Sequence, residues 1–222
     1  AGLASVTHDY YRINRMLSNV TLIRSIDDGS LFFVPRPTDL AALLAQLTDT
    51  VNLISDGPRV VYSGPEELTV SIDPALAENL VLNLISNSLT HAAGCTRVSL
   101  RLIEDHERVV ISVNDDGCGI APEKLHFVFD RYRHGFGISD IDHGAGLGLT
   151  AALAIANLHG GTLLLESREE VGTTVRASFS RNPVPSQQLY AAQEEPERGM
   201  RALLTGLADC LPDRCFGERY AE

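Results

Sequence analysis

Apolar residues near the start of the chain repeat at alternating intervals of three and four, which is typical of a helix that packs against another helix. They are Leu3, Val6, Tyr10, Ile13, Leu17 and Val20. The sequence Asp27-Asp28-Gly29 ends this helix. The heptad seam favours an intermolecular helical bundle over a helix that lies on its own domain.

The remaining pattern alternates between helical and extended periods. It predicts helices at 38–54, 73–92, 122–129 and 149–158, the first capped by Thr38 or Asp39 and the second opened by Asp73 and Pro74. It predicts strands at 59–62, 68–72, 98–103, 109–113, 162–166 and 175–179. Pro35 and Pro37 predict a linker, and Gly64-Pro65 predicts a turn joining the first two strands. The plan is two helices followed by a mixed α+β layer.

The last part of the chain differs in composition. Residues 187–198 are polar, which predicts poor order, and residues 131–143 show too little apolar periodicity for a regular element, which predicts a mobile loop. A helical stripe near the end predicts a tail helix packed on its own domain. Its members are Met200, Leu203, Leu204, Leu207 and Leu211.

Composition narrows the function classes. The chain has 222 residues, 44% of them hydrophobic, and a net charge of −11, which argues against a nucleic-acid-binding surface. The sequence has no apolar run long enough to span a membrane, and its four cysteines lack zinc-knuckle spacing. We therefore expect a cytoplasmic chain. Because it begins at Ala1 without methionine, we also expect a fragment of a longer protein, in which a membrane anchor is one option.

The predicted helix at 73–92 carries an unusual polar row. Asn79, Asn83, Asn87 and His91 are four residues apart and therefore share one face. Asparagine is a poor helix former, so three at this spacing need a reason. One interpretation is a solvated face. The other is the wall of a site whose amide oxygens suit Mg²⁺.

Two glycine-rich segments adjoin predicted elements. Residues 115–119 read Asp-Asp-Gly-Cys-Gly after a strand, where a carboxylate could accept a hydrogen bond from adenine, although Asp-Gly is also a common turn. Residues 144–148 read Gly-Ala-Gly-Leu-Gly before a helix, whose N-terminus favours phosphate. The second segment is neither a P-loop nor a dinucleotide-binding fingerprint. Each segment alone is a weak signal.

The order of these motifs is more specific than any one of them. An Asn-rich helix, the 115–119 loop, Phe127-Val128-Phe129, the 144–148 loop and Gly172-Thr173 follow one another. This order resembles the ATPase domain of sensor histidine kinases, a fold shared with gyrase and mismatch-repair ATPases, over residues 73–180. The resemblance implies an α+β, two-layer sandwich, the Bergerat fold, in which helices cover one face of a mixed sheet.

The resemblance also implies roles for individual residues. ATP and Mg²⁺ are the implied ligands, with Asn87 as the metal ligand. Catalytic roles fall to Asn83, Asn87, His91 and Arg131, with Arg133 and His134 as further basic candidates. His91 could instead be a helix-end histidine in water. The implied nucleotide-binding residues are Asn87, Asp115, Gly117, Gly119, Ile120, Phe129, Gly144, Gly146, Leu147, Gly148, Leu149 and Thr173.

One position bears on the reaction type. ATP-hydrolysing relatives carry a Glu one turn before the metal-binding Asn, and this chain has Asn83 there. An amide cannot take a proton from water. The resemblance therefore favours transfer of the γ-phosphoryl to a histidine over hydrolysis. A regulatory module of the same fold with a decayed nucleotide site remains the alternative.

The predicted organisation has three parts. Residues 1–30 resemble the second helix of a dimerisation bundle, 31–182 form the ATPase domain, and 183–222 form a polar linker and an amphipathic helix. His8 is a poor match for the phosphoacceptor, so the acceptor histidine is expected outside this chain. The implied partners are the bundle that carries that histidine, a response regulator, and a second copy in a homodimer, with no nucleic acid.

Overall fold

The computed structural model describes residues 2–125, 128, 147–182 and 199–216. In chain order its elements are α1 (Gly2–Asp27), β1 (Arg36–Asp39), α2 (Leu40–Ile54), β2 (Arg59–Ser63), β3 (Thr69–Ile72), α3 (Pro74–His91), β4 (Arg97–Glu104), β5 (Arg108–Asp115), α4 (Pro122–Leu125), α5 (Leu147–Leu158), β6 (Leu163–Arg168), β7 (Gly172–Ser180) and α6 (Met200–Gly206), followed by a 3₁₀ turn at Asp213–Phe216. None of the described helices is long and apolar enough to cross a membrane.

A five-stranded mixed sheet organises the fold. Its strand order is β2-β4-β5-β7-β6, with β2 parallel to β4 and the other pairs antiparallel. Helices α2, α3 and α5 contact this sheet. Leu84, Leu100, Ile111 and Ile155 are fully buried in the core between the layers. The predicted α+β class with a mixed sheet is confirmed.

One local prediction is wrong. The expected linker at Pro35–Pro37 contributes to strand β1, which pairs antiparallel with β3 in a separate two-stranded sheet. Proline is tolerated there because β1 is an edge strand with a neighbour on one side only. The two strands predicted on either side of the Gly64-Pro65 turn, β2 and β3, do not pair with each other, since β2 pairs with β4 and β3 pairs with β1.

Aspartate side chains begin the two helices that pack on the sheet. The Asp39 carboxylate accepts a hydrogen bond from the Ala42 N–H, 3.1 Å away, and begins α2. The Asp73 carboxylate accepts from the N–H groups of Ala75 and Leu76 and begins α3. Each cap satisfies N–H groups that have no partner within the helix. Of the two predicted caps of α2, Thr38 and Asp39, the structure has Asp39, and the start of α3 predicted at Asp73 is confirmed.

Helix α1 lies on its own domain through a face other than the heptad seam. Tyr11, Arg15, Asn19 and Ile23, four residues apart, are buried along that face. Four seam residues remain exposed, with 58–66% of their surface accessible; they are Val6, Tyr10, Ile13 and Leu17. Val20, at the end of the seam, is half-buried and packs against the cluster around Ile23. The intermolecular bundle therefore stays a prediction, and the exposed apolar face of α1 is available for it.

The C-terminal segment, residues 199–216, packs against α1 and α3. The His8 ring stacks on Phe216 with centroids 4.6 Å apart, and His8 Nδ1 lies 2.6 Å from an Asp213 carboxylate oxygen. Gly206 of α6 is so close to Leu82 of α3 that an added Cβ would lie 2.8 Å from that side chain. The two ends of the described chain are thereby joined.

Candidate functional site

A cavity of about 880 Å³ opens between α1, α3, α5 and the strand ends of the sheet. The predicted residues that line it are Asn87, His91, Asp115, Gly119, Ile120, Leu147, Gly148, Leu149 and Thr173. A concave space with a few converging polar groups is the usual form of a small-molecule site. The structure thus brings most of the described candidates together.

Asp115 lies at the end of β5 with a fixed, buried carboxylate. Its Oδ2 accepts a hydrogen bond from the Ser88 hydroxyl at 3.1 Å. Its Oδ1 accepts from the N–H groups of Gly117 and Thr173, each at 3.2 Å. These donors orient the carboxylate, which lines the cavity as a hydrogen-bond acceptor.

The glycines after Asp115 serve close packing. Gly119 has φ +66°, and an added Cβ would lie 2.1 Å from the Arg168 carbonyl oxygen. An added Cβ at Gly117 would lie 2.4 Å from Cβ of Ala92, and Gly117 itself does not line the cavity. Gly117 therefore holds the loop against the end of α3, while Gly119 forms part of the cavity wall.

The neighbouring carboxylate, Asp116, has a separate structural task. It is exposed and accepts hydrogen bonds from the Thr96 hydroxyl and from the N–H groups of Thr96 and Arg97. These bonds, that of the Thr96 hydroxyl first, hold the pKa of Asp116 well below its usual range. Asp116 ties the loop to the start of β4 and does not line the cavity.

Helix α5 begins beside the asparagine row of α3. An added Cβ at Gly148 would lie 3.2 Å from Oδ1 of Asn83 and 3.5 Å from Oδ1 of Asn87. The helix start and the amide oxygens therefore meet closely, with Leu147 and Leu149 on either side of Gly148. Backbone N–H groups at a helix N-terminus attract phosphate oxygens.

Asn83 and Asn87 differ in environment although they share one helix face. Asn87 is half-buried and lines the cavity. Asn83 is buried, donates to Asn79 Oδ1 at 2.9 Å, and its own Oδ1 accepts from Arg15 at 3.2 Å. Asn87 is therefore the more accessible ligand. Asn83 organises side chains behind it.

Apolar side chains also line the cavity. Among them are Ile120, Leu149, Leu165 and Val175. Val175 lies two residues along β7 from Thr173, which pairs with Asp115. A flat aromatic base buried against such side chains would gain binding free energy from the hydrophobic effect, and a hydrogen bond to Asp115 would orient it. The arrangement suits a purine that carries an amine.

Four predicted site residues lie outside the described residues: Phe129, Arg131, Gly144 and Gly146. The further basic candidates Arg133 and His134 also lie outside them. Among the described residues, Lys124 of α4 lines the cavity as a cation.

Sequence reasoning missed the contribution of α1 to this cavity. Arg15, Met16 and Asn19 line it, together with Asp209 of the C-terminal segment. The available signal was the four-residue spacing of Tyr11, Arg15, Asn19 and Ile23. Because the heptad seam dominates the same helix, this second face was overlooked.

The fold and the cavity define a nucleotide-binding domain of the α+β ATPase class. The chain belongs to the family of histidine kinase-, DNA gyrase B- and HSP90-like ATPases, whose model matches residues 72–183. Within that family it is a catalytic domain of the histidine kinase type, as the resemblance implied.

Relatives and solved structures agree with this class. The chain is 30% identical to the signal transduction histidine-protein kinase AfsQ2 of Streptomyces coelicolor over 81% of its own length and 33% of that protein. It is 29% identical to sensor histidine kinase YvrG of Bacillus subtilis over 76% and 30%. It thus spans about a third of both proteins. The ATP-binding domain of PrrB from Mycobacterium tuberculosis superposes with a TM-score of 0.55 at 25% identity, covering 67% of this chain and 98% of that one.

Proposed function

We propose that this chain binds ATP with Mg²⁺ and transfers the γ-phosphoryl group to a histidine of a helical bundle in a two-component sensor kinase. The observation that carries the proposal is a single cavity lined both by the buried Asp115 carboxylate and by the neighbouring Asn87 and Gly148. The first group suits adenine and the second suits phosphate.

Adenine is proposed to bind beside Asp115. The base carries an exocyclic amine that can donate to the fixed carboxylate, and its ring faces can pack on Ile120, Leu149 and Val175. Thr173, whose hydroxyl lies 2.8 Å from the Ser167 hydroxyl, adds a polar group next to Asp115. A base with a carbonyl oxygen in place of the amine would meet an acceptor and be disfavoured.

The triphosphate is proposed to lie along Gly148 and Asn87. Mg²⁺ prefers oxygen ligands and commonly keeps waters and substrate phosphates in its shell. The Asn87 amide oxygen fits one ligand position. No group of three or more His, Cys, Asp or Glu that could hold a metal occurs among the described residues, so the phosphates would supply much of the shell. When bound, the ion would neutralise charge on the phosphates.

The transfer step needs an acceptor from outside the described site. A neutral imidazole nitrogen would attack the γ-phosphorus, and the bond to the bridging β–γ oxygen would break. ADP would leave with that electron pair, and the phosphorylated ring would release the proton that its other nitrogen carries. Asn83, a buried amide, offers no base for water, which favours this acceptor over hydrolysis.

The proposed partners follow from α1 and from the family. The exposed seam of α1 is proposed to pair with a second copy in a dimer. The bundle that carries the acceptor histidine and a response regulator are proposed to receive the phosphoryl group in turn. We propose that this part of the protein works in the cytoplasm.

Calorimetry with AMP-PNP and Mg²⁺ tests nucleotide binding. We expect Asp115→Asn to reduce the preference for ATP over ITP by about tenfold or more, because the amide can donate to the ITP carbonyl. Asp116→Asn is the matched control, since that carboxylate lies outside the cavity, and it should keep the preference. If the wild type binds no nucleotide at millimolar concentration, the proposal fails in favour of a decayed regulatory module.

Phosphotransfer is tested by adding the histidine-bearing bundle and radiolabelled ATP. Label should appear on the bundle as an acid-labile phosphohistidine. Asn87→Ala should abolish the signal. Release of inorganic phosphate at the same rate without the bundle would contradict the proposal and indicate a hydrolase.

A further inference from the structure

The buried face of α1 carries Arg15, whose cationic side chain lines the nucleotide cavity. The Arg15 side chain is 8% exposed. It lines the same cavity as Asn87 and Gly148, and an added Cβ at Gly148 would lie 3.6 Å from Arg15 Nη2. Arg15 is therefore at the Asn87–Gly148 part of the site, where the proposed triphosphate lies.

The protein uses only part of the hydrogen-bonding capacity of Arg15. Nη1 donates to Asp209 Oδ2 at 2.5 Å and to the Ser86 hydroxyl at 2.7 Å. Nη2 donates to Asn83 Oδ1 at 3.2 Å. A guanidinium has five N–H groups, so two remain without an acceptor among the residues that the structure describes. The protein therefore fixes the position of the Arg15 guanidinium and leaves two of its N–H groups available to a ligand.

The charges around Arg15 are not balanced. Asp209 also accepts a hydrogen bond from Arg12 at 3.2 Å, so two arginines share one carboxylate. Burial lowers the pKa of Arg15, and Asp209 opposes that shift without cancelling it. Arginine nonetheless stays protonated in proteins. A buried cation with incomplete compensation is stabilised by a further anion.

We propose that Arg15 is a nucleotide-binding residue that contacts the terminal phosphate of ATP and makes the site prefer a triphosphate to a diphosphate. This inference rests on the proposed function. Asp209, Ser86 and Asn83 orient the guanidinium, and its remaining N–H groups donate to phosphate oxygens. Because Arg15 belongs to α1, the docking of that helix depends on which nucleotide is bound.

The test compares nucleotides that differ in the terminal phosphate. Calorimetry on the full chain measures AMP-PNP and ADP affinity, each with Mg²⁺. Arg15→Gln should weaken AMP-PNP binding by about 10- to 100-fold, the range of a lost charge-assisted hydrogen bond. Its ADP affinity should change by less than about twofold, which also shows that the variant is folded.

Two further variants sharpen the result. Arg12→Gln is the matched control, since Arg12 also binds Asp209 but does not line the cavity, and it should leave both affinities unchanged. Arg15→Lys should recover part of the AMP-PNP affinity because it keeps the charge.

Hydrogen exchange reports on the coupling to α1. In the wild type, AMP-PNP should slow exchange of residues 11–23 more than ADP does, and this difference should vanish in Arg15→Gln.

The inference is overturned if Arg15→Gln binds AMP-PNP as well as the wild type, or loses AMP-PNP and ADP affinity equally. Tighter AMP-PNP binding by Arg15→Gln would overturn it too, because Arg15 would then block the site. If the wild type binds neither nucleotide, the proposed function itself fails. If the wild type binds both nucleotides and Arg15→Gln keeps the wild-type ratio of AMP-PNP to ADP affinity, the proposed function stands and Arg15 has no part in it.

Discussion

At the scale of single residues, His159 shows how a titratable group becomes part of the core. Its Nε2 accepts a hydrogen bond from the Asp73 N–H at 3.0 Å, so its Nδ1–H donates to the Ile155 carbonyl at 2.8 Å. The ring lies between Phe33 and Phe179 and is 1% exposed. The neutral tautomer thereby joins the start of α3 to the end of α5.

This environment makes stability depend on pH. Burial lowers the pKa of His159, so the unfolded chain binds the proton more readily. The contribution of His159 is complete above about pH 7.5 and is lost as pH falls through the unfolded pKa of about 6.5, at up to about 1.4 kcal/mol per pH unit. Urea unfolding at pH 7.5 and 5.5 should show this loss.

His159→Gln is the comparison variant. It should be less stable at pH 7.5 by about 1–2 kcal/mol, because the two hydrogen bonds are impaired. Its free energy of unfolding should vary less between the two pH values than that of the wild type. An equal pH dependence in both proteins would assign the effect to other groups.

Whether the role of a single residue could be predicted depends on how far along the chain its contacts lie. Asp39 and Asp73 act on N–H groups two or three residues away, so their caps could be predicted. Asp115 was found through the order of motifs. Arg15 bonds to Ser86 and Asp209, which are 71 and 194 residues distant in the chain. No local pattern reports such contacts.

At the scale of elements, the loop after β5 is fitted to the turn between β6 and β7. Gly119, with φ +66°, meets the Arg168 carbonyl, and Gly172, with φ +128°, meets the Asp115 carbonyl. The Ser167 hydroxyl accepts a hydrogen bond from the Ile120 N–H at 2.8 Å. Backbone meets backbone here, so side chains cannot be added without moving one strand end.

We expect Gly119→Ala to lower the free energy of unfolding by about 2–4 kcal/mol, since it adds a positive-φ cost to a steric clash. AMP-PNP affinity should fall with it. Gly94→Ala is the matched control, because Gly94 has φ +76° but nothing within 4 Å of an added Cβ. Its cost should be only about 1 kcal/mol. Equal costs, measured by urea unfolding, would remove the role of close packing.

Elements also mark where sequence patterns reach their limit. The helices and strands were predictable because each repeats its own period within a few residues. The pairing of β2 with β4 was not, since α3 lies between them and the parallel register depends on where that helix packs. β1 was hidden by Pro35 and Pro37, which deplete the strand signal although an edge position accepts them.

At the scale of the whole molecule, α1 presents two faces with different tasks. One face is buried on the domain through Tyr11, Arg15 and Ile23, and the other leaves the heptad seam exposed. An exposed apolar stripe of this length on a helix marks an interaction surface. A second copy of α1 would cover it by knobs-into-holes packing.

Substitution in the seam should therefore change the oligomeric state and leave the fold intact. We expect Ile13→Glu to raise the dimer dissociation constant by about tenfold or more, because it buries a charge at the helix contact. Leu53→Glu is the control, since Leu53 is 79% exposed on α2 and lies outside the seam. Sedimentation over a concentration series measures both. A wild type that stays monomeric at the highest concentration would contradict the prediction.

The clasp between His8 and Asp213 joins residues 205 positions apart in the chain. Closing so large a loop costs more chain entropy than any sheet pairing here, so we expect this clasp to form last during folding. Its hydrogen bond is also exposed, so we expect it to be the first part to open by local unfolding. Helix α1, which carries Arg15, would then undock from the cavity and dock again many times while the sheet stays folded. The domain would thus alternate between a four-walled and a three-walled pocket without ever denaturing.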